Sequence, residues 1–231
     1  MRLPSYKDMI DEDTIAFFPF NGNLNNEVSG AGYSFTTNQT PAYTNITIGN
    51  KTVKCIYHTN GSGGILWFSD ASIIDNNDFT IDFMFRIFQN NTGYICRLFE
   101  YRAYSSNLGV VIELNQDGSN ELVITKGNRS IYYYRIPLNE KFKSTYHHMA
   151  VTKKDTNFFI FFLDGNKIFQ GNIALGDFSQ FRIDIRSSNP ANLFYYRFSK
   201  GIKYIEDFTS PLEDPYYFLK ENDNNVYGIQ K

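Results

Sequence analysis

The residues best suited to chemistry are acidic groups in strand-like segments. Glycoside hydrolysis needs two carboxylates on either side of the scissile bond, and Glu-x-Asp-x-Glu spacing on one strand would place them on one face. The nearest match is residues 182–186, Arg-Ile-Asp-Ile-Arg, with arginines where the glutamates would stand. Asp82 shares its face with Thr80 and Met84, without a second carboxylate. The sequence therefore predicts that the protein is not an enzyme of this kind.

Candidate metal ligands are also poorly placed. His147 and His148 are adjacent, so in a strand they point to opposite faces and cannot chelate one ion together. We expect at least one of them to be a packed structural histidine. Residues 75–78, Asp-Asn-Asn-Asp, are rich in oxygen ligands but lack the spacing of an EF-hand loop. No metal or other cofactor is predicted, and although Ca²⁺ is an alternative, no ligands can be assigned to it. No nucleophile-base pair is evident either.

Aromatic side chains are the remaining candidates, because their flat faces can stack on sugar rings. We select Tyr101, Tyr104 and Tyr133, the last together with Arg135, as residues that bind a glycan or a partner. Ordinary packing across neighbouring strands is the alternative for each of them. Trp67 lies in an apolar segment and is expected in the core.

The segment Phe158–Leu163 is apolar on both of its alternating faces. Such a strand must be covered on both sides. One cover is the opposite sheet, and the other is a loop, an arm or another subunit. We predict that Phe159, Phe161 and Leu163 form the face that meets a partner.

The composition of the chain bears on nucleic-acid binding, on membrane insertion and on the state of the cysteines. The 231 residues carry a net charge of −2 and the sequence pI is about 5.9, which gives no support for a basic nucleic-acid-binding surface, so no nucleic-acid partner is predicted. No apolar run has the length of a membrane span or a signal peptide, so we expect a product made in a cytosol without membrane insertion. Cys55 and Cys96 lie in apolar surroundings and are interpreted as buried free thiols, with a disulfide as the alternative.

Hydrophobic periodicity predicts many short strands. Residues 79–88 alternate in a way that indicates one buried and one mostly wet face. Asp164-Gly165-Asn166 is a hairpin signal, because these residues tolerate the positive φ of a tight turn. Only residues 211–225 could hold a helical turn. The pattern favours an all-β fold with little helix, a two-sheet antiparallel jelly-roll sandwich in one domain.

Four short motifs occur in an order that resembles the laminin-G-like (concanavalin A-like) lectin family. They are the opening segment 13–23, the segment Asp78–Arg86, the hairpin of Tyr146–Val151 with Leu163–Gly165, and the closing segments 197–204 and 207–211. The resemblance implies a concanavalin A-like sandwich over residues 13–215, with an N-terminal arm at 1–12 and a C-terminal tail at 216–231. It also implies a scaffold used mainly for binding, although a scaffold does not fix a function.

We expect one of two functions for this protein. The first is a non-catalytic structural or attachment protein of a bacteriophage virion, made in the host cytoplasm, whose partners are other virion proteins, copies of itself or a bacterial surface glycan. Its grounds are a lectin-type module without an export signal and an Asn-, Ile-, Tyr-, Phe- and Lys-rich composition. The alternative is a carbohydrate-binding module of a bacterial cell-surface or secreted protein. The sequence leaves the ligand, the oligomeric state and the position within a virion open.

Overall fold

The computed structural model describes residues 9–48, 51–57, 65–68, 77–87, 95–101, 108–115, 120–175, 181–184 and 191–208. These residues form two antiparallel sheets, which confirms the predicted all-β sandwich. No helix among them is long and apolar enough to cross a membrane.

The first sheet contains eight strands, which we number in chain order along the whole chain. They are β1 (Thr14–Phe18), β3 (Ala42–Ile48), β4 (Lys51–Tyr57), β6 (Phe79–Ile87), β11 (Tyr146–Lys154), β12 (Phe158–Leu163), β13 (Asn166–Asn172) and β15 (Ala191–Lys200). Their order across the sheet is β13-β12-β11-β6-β15-β4-β3, and β1 also pairs with β15.

The second sheet contains seven strands in the order β10-β9-β8-β7-β14-β5-β2. They are β2 (Phe35–Thr37), β5 (Ile65–Phe68), β7 (Ile95–Tyr101), β8 (Val110–Asn115), β9 (Glu121–Lys126), β10 (Tyr132–Pro137) and β14 (Phe181–Asp184). Both sheets therefore combine strands from distant parts of the chain, as expected of a jelly-roll sandwich.

The core between the two sheets is largely aromatic. Phe68 of the second sheet stacks on Phe198 of the first at 4.3 Å between ring centroids, with the two planes 7° apart. Within the first sheet, Phe83 stacks on its cross-strand neighbour Tyr196 at 4.6 Å between ring centroids. The large share of Phe and Tyr in the sequence is thus used first to fill the space between the sheets.

Local turn chemistry follows the sequence closely. Asp164 and Gly165 both have positive φ, 52° and 81°, and they join β12 to β13 in the predicted tight turn. Both cysteines are buried and free, which confirms that interpretation.

One short helix was not predicted. Helix α1 (Glu140–Ser144) is preceded by Asn139, whose side chain accepts a hydrogen bond from the backbone N–H of Phe142 at 2.8 Å. This is an N-cap interaction that satisfies one otherwise unpaired donor of the first turn. The helix lies before β11 and presents Phe142 to His147 at 3.7 Å between ring centroids. Residues 211–225, where a helical turn was predicted, lie outside the described ranges.

The outer face of the first sheet is buried, contrary to the prediction of a wet face on residues 79–88. Thr80, Asp82 and Met84 all point away from the inter-sheet core and have no exposed surface. Met9 and Ile10 belong to the apolar cluster that includes Met84. Residues near both ends of the described chain thus cover this face, which a period of two within one strand cannot reveal.

The orientation predicted for β12 was also wrong. Phe159, Phe161 and Leu163 belong to the core between the two sheets. The opposite face, formed by Phe158, Ile160 and Phe162, packs on Tyr204 and Phe208. Of the three covers considered for the second apolar face, a segment of the same chain, residues 201–208, provides it.

Candidate functional site

The aromatic candidates chosen from the sequence do not form one site. Tyr101 has no exposed surface, and its ring meets Phe79 edge-on at 5.4 Å inside the core. The prediction that Tyr101 stacks on a ligand was therefore wrong, because β7 points this side chain between the sheets. Tyr104 lies outside the described residues.

Tyr133 and Arg135 lie on the same edge strand, β10, but point in different directions. Tyr133 is half-buried, and its ring lies 5.4 Å from that of Phe169 in the first sheet. Burial raises its pKa above the usual 10.0. Arg135 is exposed and faces away from the core, because it pairs with the outward residue Val123.

The partner of Arg135 on the surface is Tyr132. The Arg135 guanidinium lies 4.2 Å from the centre of the Tyr132 ring, and its Nε lies 3.1 Å from the Glu121 carboxylate. Tyr132 is 39% exposed and the neighbouring Ile131 46%. This edge therefore presents an aromatic ring stacked on a guanidinium, an arrangement that stabilises both side chains.

A continuous row of paired residues connects this edge with the opposite side of the second sheet. The strand registers place the following residues side by side from β2 to β10: Thr36, Trp67, Arg182, Glu100, Val111, Thr125 and Tyr132. The row lies on the outer face, because its neighbours along each strand, such as Leu66, Phe68, Phe181 and Ile183, belong to the core.

Trp67 is partly exposed in this row, so its expected place in the core was wrong. The segment Ile65–Phe68 is apolar throughout, and its sequence does not show which pair of side chains points inwards. Leu66 and Phe68 take the core side, which leaves Trp67 outside between Thr36 and Arg182. An indole on the outer face of a sheet offers a flat apolar surface with one hydrogen-bond donor.

Glu100 forms ion pairs with two arginines, of which Arg182 is next to this tryptophan. Its carboxylate lies 2.7 Å from the guanidinium of Arg97 and 2.7 Å from that of Arg182. The carboxylate is 2% exposed, whereas the arginine side chains keep 24% and 13% of their surface. The two ion pairs hold both guanidinium groups in place, and that of Arg182 lies beside Trp67.

Glu113 on the adjacent strand β8 is a second buried carboxylate that is paired with an arginine. Arg129 donates hydrogen bonds from Nε at 2.7 Å and from Nη2 at 3.1 Å to the two oxygens of Glu113. Arg129 reaches this position from the β9–β10 turn, where its φ is 59°. Arg97 also approaches Glu113 at 3.8 Å. A bidentate arginine–carboxylate pair of this kind fixes both side chains.

Glu100 and Glu113 lie on two different strands, so the spacing of carboxylates along one strand does not identify them as a pair. Both have arginine partners, and their surfaces are closed to solvent by those partners. The side chains of Arg97, Arg129 and Arg182 keep part of their surface exposed, whereas the two glutamates lie buried beneath them. Such an arrangement suits recognition by hydrogen bonds and stacking.

The outer face of the first sheet contains a different buried network, centred on Asp82. Its carboxylate accepts hydrogen bonds from Arg197 Nε at 2.8 Å and from the Tyr195 hydroxyl at 3.0 Å, and His148 Nε2 lies at 3.3 Å. Burial by itself would raise the pKa of Asp82. The charge of Arg197 and the hydrogen bonds outweigh burial and hold that pKa at about 2.

Arg197 extends this network to both ends of the described chain. Its Nη1 donates to the carbonyl oxygen of Met9 at 2.8 Å, and its Nη2 donates to the Tyr204 hydroxyl at 3.0 Å. The network thus fastens the two covering segments to the sheet, which is a structural role.

The two histidines point to opposite faces, as predicted. His147 Nδ1 lies 2.8 Å from the Asp164 carboxylate and Nε2 lies 2.8 Å from the carbonyl oxygen of Phe142. Both imidazoles are buried and packed on aromatic rings. In the described ranges, no three histidine, cysteine, aspartate or glutamate side chains are grouped in a way that could hold a metal ion.

The chain resembles known proteins in its three-dimensional structure. Neither a family model nor a curated protein matches the chain. Its fold is similar to that of botulinum neurotoxin receptor-binding domains. The receptor-binding domain of botulinum neurotoxin D superposes with a TM-score of 0.58 at 11% identity, over 83% of this chain and 50% of that chain.

A second match is botulinum neurotoxin type C, whose cell entry depends on interaction with two ganglioside molecules. Its TM-score is 0.57 at 14% identity, over 85% of this chain and 50% of that chain. The chain spans about half the length of the structures it matches. At these identities the likeness shows the shared sandwich fold alone, so membership of the laminin-G-like family stays a prediction.

Proposed function

We propose that the protein is a non-catalytic binding domain that recognises a carbohydrate of a cell surface through the outer face of its second sheet. The observation that carries this proposal is the partly exposed indole of Trp67, which lies beside Arg182, an arginine that is ion-paired with Glu100. A sugar ring presents C–H groups to an aromatic face and hydroxyl groups to neighbouring donors. Trp67 and Arg182 supply these two elements side by side.

The similar structures support a binding role without fixing the ligand. They are receptor-binding domains, and one belongs to a toxin whose entry depends on gangliosides. The ganglioside interaction belongs to that toxin as a whole, of whose matched structure this chain spans about half, so it supports a role in cell-surface binding in general. The ion pairs of Glu100 and Glu113 add to the case for binding, because both carboxylates are engaged by arginines.

The biological setting remains part of the proposal. A place in a bacteriophage virion, with other virion proteins or copies of this chain as partners, rests on the sequence alone. The alternative is a bacterial surface or secreted protein. Co-purification of the protein with phage particles, or its absence from them, distinguishes the two settings.

The proposal is tested with a glycan array probed with the wild-type protein and with Trp67→Ala. We expect the wild type to bind a related group of glycans and Trp67→Ala to lose them. Ile205→Ala serves as the control, because Ile205 is 54% exposed and belongs to the segment that covers the first sheet. An array without hits, or equal binding by both variants, would contradict the proposal.

A further inference from the structure

The outer face of the first sheet contains a second group of polar side chains that the proposed glycan face does not use. Arg86 on β6 lies directly opposite Asn192 on β15 and directly opposite Tyr146 on β11. Opposite residues on one face of a sheet have Cβ atoms about 5 Å apart. These three side chains therefore meet at one place, four residues along β6 from Asp82.

Two donors in this group are buried and unpaired. Arg86 Nε and Asn192 Nδ2 have no hydrogen-bond partner among the residues that the structure describes, and Asn192 is only 2% exposed. A buried donor without an acceptor is costly, so native structures rarely leave one unused. Two such donors on directly opposed residues indicate a missing acceptor shared between them.

The charge of Arg86 leads to the same conclusion. Among the described residues, the contacts of its guanidinium are with Tyr146: the hydroxyl oxygen lies 3.4 Å from Nη1, and the ring centre lies 5.2 Å from Cζ. No carboxylate in the described ranges forms an ion pair with it, unlike Arg97, Arg129 and Arg182 on the other sheet. A half-buried guanidinium is normally compensated by an anion.

The nearby thiol does not supply that anion. Cys55 lies in the same apolar cluster as Tyr146. Burial raises the pKa of its thiol to about 12, although the charge of Arg86 acts in the opposite direction. The thiol is therefore neutral at physiological pH, and it donates a weak hydrogen bond to the carbonyl oxygen of Thr44 at 3.8 Å.

We propose that Arg86, Asn192 and Tyr146 form a binding site for one oxyanion, either a carboxylate or a phosphate or sulfate group. Nε and its neighbouring N–H form the side edge of the guanidinium, which matches two oxygens of such a group. Asn192 Nδ2 supplies a further donor from the opposite strand. Arg86 and Tyr146 both keep part of their surface exposed, which gives the anion an entrance from solvent.

The test compares thermal unfolding in sodium phosphate, sulfate and acetate with unfolding in sodium chloride of equal ionic strength. A site-specific anion at ten times its Kd should raise the Tm by about 3–6 °C. Asn192→Asp places a carboxylate beside Arg86 with almost no change in shape. We expect this variant to melt higher without added anion and to lose the anion-dependent rise.

Two further variants serve as a control for added charge and as a test of the guanidinium geometry. Asn172→Asp, at an exposed position on β13, is the matched control and should respond to anions like the wild type. Arg86→Lys keeps the charge but removes the side edge, and it should weaken phosphate binding about tenfold. Sulfate also stabilises proteins generally, so the difference between variants is the decisive quantity.

The unfolding data identify the preferred anion if the site exists and contradict the proposal if it does not. Of the three anions, the one with the largest site-specific rise identifies the oxyanion that the site prefers. Equal anion responses in the wild type and Asn192→Asp would overturn the proposal. So would a high-resolution crystal structure grown in phosphate that shows only an ordered water between Arg86 Nε and Asn192 Nδ2. Neither result would affect the proposed glycan face, because the two sites lie on different sheets.

Discussion

Trp67 and Arg182 lie directly opposite each other on β5 and β14, and both point away from the core of the sandwich. Arg182 is fixed in turn by Glu100 on the next strand, at 2.7 Å. The indole and the guanidinium thus form one rigid surface supported by three adjacent strands. A preformed surface loses little conformational entropy when a ligand binds, which favours recognition.

Tyr132 and Tyr133 allow a comparison between two neighbouring tyrosines of one strand. Tyr132 ends the outer row that begins near Trp67, whereas Tyr133 turns towards Phe169. If the ligand reaches this edge, Tyr132→Ala should weaken binding of an array-positive glycan by about tenfold, equivalent to about 1.4 kcal/mol. Tyr133→Ala should leave affinity within about twofold and lower the stability instead. Calorimetric titration and urea unfolding of both variants provide the two measurements.

Glu113 holds Arg129 and Arg97 in place, so its replacement should lower the free energy of unfolding. Glu113→Gln removes the bidentate partner of Arg129 from a site without solvent exposure, so we expect a loss of about 2–4 kcal/mol in the free energy of unfolding. Glu206→Gln is the matched control. Its ion pair with Lys167 is exposed, and the change should stay within about 0.5 kcal/mol. Urea unfolding at neutral pH compares them, and equal losses would contradict the role given to Glu113.

Asp82 should make stability depend on acidic pH. Its pKa is about 2 in the folded protein and about 3.8 when unperturbed, so the folded state favours the ionised form. The resulting stabilisation, about 2 kcal/mol, is complete above the unfolded pKa. It is lost as the pH falls from about 5 to 2. Urea unfolding over this range should show the loss in the wild type.

Asp82→Asn provides the control for that pH dependence. The variant should be less stable at pH 7 by about 3–5 kcal/mol, because Arg197 stays buried without its anion. It should also lack the Asp82 contribution to the acidic slope. A variant with the stability and slope of the wild type would show that the network is not coupled to folding.

The segment 201–208 should behave as a cover for the outer apolar face of β12. Tyr204 and Phe208 stack on each other at 3.8 Å between ring centroids, and both contact Phe162. Phe208→Ala should destabilise the protein by about 3 kcal/mol and increase binding of a hydrophobic dye. Ile205→Ala in the same segment is exposed and should change neither quantity. If Phe208→Ala had the stability and the dye binding of the wild type, another element would have to cover this face.

Much of the fold could be predicted because strand length and turn chemistry are local. The strand Phe158–Leu163 was located to the residue, and Asp164-Gly165 forms the expected turn. Helix α1 was missed because it has only five residues and depends on Asn139 as its cap. Strands β2 and β3 were also missed, since an Asn- and Thr-rich stretch has a weak apolar pattern.

The orientation of side chains was harder to predict than the strands themselves. Where a strand is apolar throughout, as in β5 and β12, a period of two cannot distinguish its faces. Trp67 was therefore placed inside and Phe159 outside, and both were the reverse. Glu100 is flanked by Phe99 and Tyr101, so its outward position could have been inferred from alternation. Its pairing with Arg182 depends on strand order, which only the structure reveals.

The most direct test of the glycan face uses the fluorescence of Trp67, the only tryptophan in the sequence. A glycan selected from the array is titrated into the wild-type protein while the tryptophan emission and its quenching by acrylamide are followed. We predict a saturable shift of the emission to shorter wavelength and reduced quenching, because a stacked sugar ring excludes water from the indole. Saturating glycan that leaves both signals unchanged would contradict the central claim that Trp67 forms the binding surface.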